Sequence, residues 1–178
     1  MSPANAEDWS QEVRYKELIR IREIRDLISR HATMEKKGMS AEEFLAISDK
    51  VIPLGFSLAK VASIVQPIYA KLGIKTGQEY SETLTDPPGA VIVAAICSLA
   101  RHGQALQQVR QFEDGCLLEA NLPSDMWSWE GTLLVSVRRA GTGSRVEGAT
   151  KITGQLFDWG KSKRCLEVLF EDIKASPA

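Results

Sequence analysis

The chain has almost no surplus of either charge. Its 22 Lys and Arg stand against 23 Asp and Glu, for a net charge of −1 and a pI near 6.2, so no global positive field argues for nucleic acid as a partner. Cysteine is scarce. Cys97, Cys116 and Cys165 are widely spaced and odd in number, and no two are close enough for a structural metal site, which points to buried free thiols in a reducing compartment. The first eight residues lack the basic start and apolar core of a secretory signal, so the expected location is the cytoplasm. Long apolar runs are missing too. Within residues 54–72, Lys60, Gln66 and Lys71 interrupt the pattern, far short of the ~20 residues a membrane span requires. Burial against other helices is the expected fate of that segment. Contact with a membrane surface is the less favoured alternative, because its polar face supplies few cations.

Signatures of chemistry are equally sparse. The sequence has no glycine-rich phosphate loop, no nucleophile elbow and no zinc-protease pair. The two histidines, His31 and His102, fall in different expected elements. Cys97 and His102 lie five positions apart on one expected helix, a spacing that does not bring them face to face; His102 reads instead as a last-turn cation or donor. Glu113, Asp114, Glu119, Asp125 and Glu130 sit near expected strand ends or turns. A converging pair of them would serve acid–base work, but exposed turn carboxylates are the plainer reading. No nucleophile, metal or cofactor is indicated, and the balance leans away from an enzyme.

What is present suffices for a sizeable core, since 44% of the residues are hydrophobic and 25% charged. From Gln11 to about Ala32, apolar residues at Leu18, Ile21, Ile24 and Ile28 predict one long amphipathic helix, its mixed-charge face solvated. Lys36, Lys37 and Gly38 should end it. Ser40 with Glu43 spells a capping box that opens a short helix through Asp49. Pro53 breaks the chain before the apolar stripe of residues 54–72. The polar run from Lys75 to Gly89 reads as a linker, with a boundary near residue 85. It separates a helical N-terminal region, residues 1–85, from an α-β4-α module, residues 86–178.

In that module, Val91, Ile92, Ala95, Ile96 and Leu99 make a helix apolar nearly all round, which should be buried. Strands follow, with a hairpin turn at Asp114-Gly115 and a second at Ala140 to Gly143. Arg138, Arg145, Glu147 and Lys151 suggest one wet face. A final helix from about Gly160 to Ala175 should cover the other. The expected fold class is therefore α+β: a four-stranded antiparallel sheet flanked by two helices, preceded by a helical region.

Two features stand out chemically. Trp127 and Trp129 share a strand face if that segment is extended, and Trp159 lies in the same module; they form either the sealed end of the sheet or a wall for a ligand or partner. At the junction Gly154 to Arg164, Asp158 is placed to cap the last helix. Lys161, Lys163 and Arg164 then crowd its first turns, against the helix dipole. Either they form an anion site with the free helix N–H groups, or they extend into water and pair with Glu167.

The runs Asp125 to Gly131, Gly143 to Val146 and Gln155 to Arg164 resemble small bacterial proteins of a START-like, helix-grip type, over roughly Pro88 to Ile173. That resemblance implies a sheet wrapped about a long C-terminal helix with an apolar pocket between them, and it carries no agreed catalytic residues. The chain departs from the pattern in having too few expected strands, the first strand being absent. The expected function is a non-catalytic binding module for an apolar or amphipathic ligand or a protein partner, with self-association through the N-terminal helix if its stripe finds no other cover. The alternative is a small hydrolase or isomerase with carboxylates lining a pocket.

Overall fold

The computed structural model describes residues 9–34, 39–55, 78–122, 131–152 and 160–176. The expected long N-terminal helix is broken. A 3-10 turn at Trp9–Gln11 leads to α1 (Tyr15–Arg20), and α2 (Arg22–Met34) starts only after Ile21 takes an extended conformation, φ −72 and ψ 124. Tertiary contacts override the local periodicity here. Tyr15, Leu18 and Ile19 of α1 are all buried, and the Tyr15 hydroxyl donates to the Ser48 carbonyl at 2.9 Å. Arg25 fixes the bend by donating to the Ile19 carbonyl freed at the end of α1, 3.2 Å, and to the Asp49 carboxylate at 2.7 and 3.1 Å.

The serine half of the capping box forms as its sequence specifies: Ser40 Oγ accepts from Glu43 N at 3.1 Å and opens α3 (Ala41–Lys50). Residues 35–38, the expected helix stop, lie outside the described residues. So does most of the stripe over 54–72. Its first two residues, Leu54–Gly55, form the short strand β1 rather than the start of a helix.

The polar run read as a linker contains a strand. β2 (Glu79–Leu84) pairs antiparallel with β6 (Gly143–Ile152) from Glu79↔Ala149 to Leu84↔Ser144. Sequence alternation could not announce it, because an edge strand with exposed faces needs no apolar period. Between them in the sheet lie β3 (Leu106–Phe112), β4 (Gly115–Leu122) and β5 (Gly131–Ala140). The sheet has six strands in the order β1-β3-β4-β5-β6-β2, with β1 parallel to β3 and every other pair antiparallel. This corrects the expected four antiparallel strands, while the two hairpins fall where the turn residues put them.

The all-round apolar helix is α4 (Pro88–Arg101), buried along its length up to Ala100. It packs against α2 on one side and against β4, β5 and β6 on another, with α5 (Lys161–Ala175) beside it. Fully buried side chains such as Ile92, Ile96 and Leu99 each contribute about 1.5–3 kcal/mol. One apolar core runs from Tyr15 through α4 to Ile173, so the N-terminal stripe finds its cover within the chain. Two glycines mark where α4 and the sheet meet their neighbours closely. A Cβ on Gly89 would lie 2.3 Å from the Trp9 carbonyl oxygen, and one on Gly148 would lie 2.8 Å from the Phe170 ring and 2.9 Å from Leu166.

The sheet does not have the wet face expected of it. On the side away from α4 and α5, Leu117, Leu134, Ser136, Glu147 and Ala149 are each at most 5% exposed, although Arg145 and Lys151 reach water. Charge misled the reading at Glu147, whose carboxylate is buried beside Arg145 Nε at 2.8 Å. Among the described residues, no helix is long and apolar enough to cross a membrane.

Candidate functional site

The residues singled out in sequence do not gather into one described site. Trp127, Trp129 and Trp159 lie outside the described residues, as does Asp158. Lys161 opens α5, and its side chain is likewise outside the description. The position before the helix belongs to Gly160, in a left-handed conformation with φ 79 and ψ 4, so the helix has no side-chain cap from that position. Lys163 and Arg164 are exposed. Lys163 Nζ stands 3.7 Å from Glu167 Oε1 one turn on, the plainer of the two expected outcomes, and such an exposed pair contributes little.

The fold brings together a polar cluster that sequence separation concealed. Asp172 of α5 accepts from Ser98 Oγ at 2.7 Å and from Arg101 Nη1 at 2.6 Å, and lies 3.0 Å from His102 Nε2. Arg101 Nη2 reaches His31 Nδ1 of α2 at 2.9 Å. Both histidines thus meet around one arginine–aspartate pair. The order of contacts does not make a nucleophile: Ser98 donates to the carboxylate instead of to an imidazole, and it is 2% exposed. A guanidinium has no acceptor, so His31 Nδ1 must be the unprotonated nitrogen. Burial and the neighbouring Arg101 charge both hold the His31 pKa below its ordinary value. This cluster is a clasp joining α2, α4 and α5.

Nucleophilic chemistry is disfavoured at the buried thiols. All three cysteines are free, and burial pushes Cys97 and Cys116 up to about 12, which keeps both as inert thiols at neutral pH. Two of the five carboxylates named in sequence are engaged. Asp114 is clamped by Arg138 at 2.6–3.1 Å, Glu119 lies 2.7 Å from Arg110, Glu113 is exposed in the turn, and Asp125 and Glu130 lie outside the described residues.

Concave apolar surface occurs at the other edge of the sheet. The end of α3, the segment after it, β1 and the start of β3 border an open cleft of about 490 Å³, lined by Ile47, Lys50, Val51, Ile52, Leu54, Leu106 and two glutamines. Val51 and Leu106 form its buried floor, 9% and 3% exposed, while Ile52 and Leu54 stand on its wall at 76% and 46%. Local structure holds the wall open. Pro53 follows the helix end, and β1 is pinned to β3 by the parallel register Leu54↔Arg110 and Gly55↔Gln111. Between Leu106 and Gln108 the β3–β4 register shifts, so Gln107 is the extra residue of a bulge and faces the cleft rim. Sequence offers one signal for this place, apolar Ile52 and Leu54 flanking a chain-breaking proline, but Leu54 reads as the start of the longer stripe over 54–72 and Ile52 falls outside it.

A second cleft, about 390 Å³, lies along Trp9, Val13 and Ile21. Its charges are paired: Arg14 donates to Glu12 through its backbone N–H and side chain and holds that carboxyl below its ordinary range, and Glu17 accepts from Arg20 at 3.3 Å.

Comparison with known proteins finds no matching family model, no matching curated protein and no matching solved structure.

Proposed function

We propose that the chain is a non-catalytic binding module of helix-grip type that takes the apolar part of an amphipathic ligand into the cleft between α3, β1 and β3. The observation that carries this reading is the pair Ile52 and Leu54, two large apolar side chains left exposed on the wall of a cleft with an apolar floor. A soluble chain seldom leaves large apolar surface clustered in a concavity without using it, and the volume falls within the ~300–1,000 Å³ of small-molecule sites. The order β2-α4-β3-β4-β5-β6-α5, with its first strand paired to its last, supports the helix-grip part, since the strand expected to be missing is supplied by β2. The ligand space differs from that of the resemblance. At Gly148 the last helix sits directly on the sheet, with no room even for a methyl group, and the cleft lies at the opposite edge.

The neutral fluorophore N-phenyl-1-naphthylamine tests this reading. It should bind saturably to the wild-type chain, and Ile52→Glu should weaken it about tenfold, equivalent to ~1.4 kcal/mol. Absence of saturable binding, or equal binding by Ile52→Glu, would contradict the proposal.

A further inference from the structure

The rim of the cleft carries one charge. Lys50, the last residue of α3, is the only ionisable residue among those lining it, and among the described residues it has no ion-pair or hydrogen-bond partner. Charges around it are already compensated. Asp49 next to it is held by Arg25 at 2.7 and 3.1 Å, and Glu119 on the adjoining strand lies 2.7 Å from Arg110. The cleft mouth therefore has a positive charge above apolar walls that no carboxylate among the described residues pairs with. A lysine suits that position: its four-carbon stem lies along apolar surface while the ammonium group stays at the water boundary.

From this we infer that the ligand of the cleft is a free single-chain amphiphile with an anionic head, of which a carboxylate is the simplest case, the head paired to Lys50 and the tail laid on Val51, Ile52, Leu54 and Leu106. This rests on the cleft being a binding site at all, and it adds which head group the site prefers. Complementarity of sign decides it: a cationic head would meet Lys50 in repulsion, and a neutral one would leave the ammonium unpaired. Gln107 and Gln108 add neutral amide donors to the same rim.

Isothermal titration of the full chain with decanoate, decan-1-ol and decyltrimethylammonium, each as dissolved monomer, separates the tail from the head. Decanoate should bind about fivefold more tightly than decan-1-ol, the scale of an exposed ion pair, and decyltrimethylammonium more weakly than either. Lys50→Gln should reduce decanoate to the decan-1-ol affinity, Lys50→Arg should retain the preference, and raising the salt from 50 to 500 mM should shrink it. Lys50 is exposed, so these variants keep the fold, which circular dichroism verifies. If decan-1-ol binds but decanoate binds no better, or Lys50→Gln keeps the preference, the head-group assignment falls and the cleft survives. Should none of the three bind, both fall. Capture of anionic phospholipid vesicles without binding of dissolved decanoate would overturn the free amphiphile in favour of a membrane surface.

Discussion

Ser136 and Gly148 sit on neighbouring strands and have opposite tolerances. Ser136 is 1% exposed, and among the described residues its hydroxyl has no hydrogen-bond partner, so it is desolvated without compensation. Ser136→Ala should leave stability unchanged or raise it by up to about 1 kcal/mol in urea denaturation. Gly148→Ala pushes a methyl group against Phe170 and Leu166 and should cost about 1–3 kcal/mol in the same experiment. His31 gives a pH dependence. Its folded pKa lies below the ordinary 6.5 through burial and Arg101, so on acidification the unfolded chain takes up a proton that the folded chain resists. Its contribution to stability is full above pH 6.5 and declines as pH falls from there toward the lower folded value. Asp172, which draws the pKa up, and Arg30, which pushes it down, are the other charges acting on this ring. In His31→Gln, whose amide oxygen still accepts from Arg101, the wild-type loss of stability between pH 6.5 and 5 should be smaller. An identical loss would remove His31 as its source.

Among elements, legibility followed the strength of the local code. The Ser40 box, the Asp114-Gly115 turn and the all-round apolar α4 were readable because each is specified by its own residues. The break at Ile21 was not, because Ser48 and Asp49 of α3, which hold Tyr15 and Arg25, help impose it from outside the helix. β1 and β2 escaped notice for a different reason: one is two residues long, and the other is a polar edge whose pairing is specified by β6. Glu147 made the far face look wet, because a sequence shows a charge without showing its partner. The clasp on Asp172 joins residues 70 or more positions apart, beyond any motif. Asp172→Ala leaves Ser98, Arg101 and His102 without their common acceptor, and should cost about 1–3 kcal/mol. Hydrogen exchange should quicken at the C-terminal turn of α4, and protection equal to wild type there would contradict the clasp.

For the whole molecule, the α+β class and the helix-covered sheet were visible in the sequence, whereas the site was not. Trp127, Trp129 and Trp159 attracted notice through side-chain type, and Lys161, Lys163 and Arg164 through their conflict with the helix dipole. A cleft has no such local mark: it is made where Ile47 and Ile52 meet Leu106, far along the chain, at a sheet edge. The account therefore turns on whether that edge binds apolar matter, which amide ¹H–¹⁵N correlation spectra of the labelled chain titrated with decan-1-ol report directly. Saturable shifts concentrated at Ile47, Val51, Ile52, Leu54, Leu106 and Gln107 are the predicted result. An unchanged spectrum at saturating decan-1-ol, or shifts confined to other parts of the chain, would contradict it.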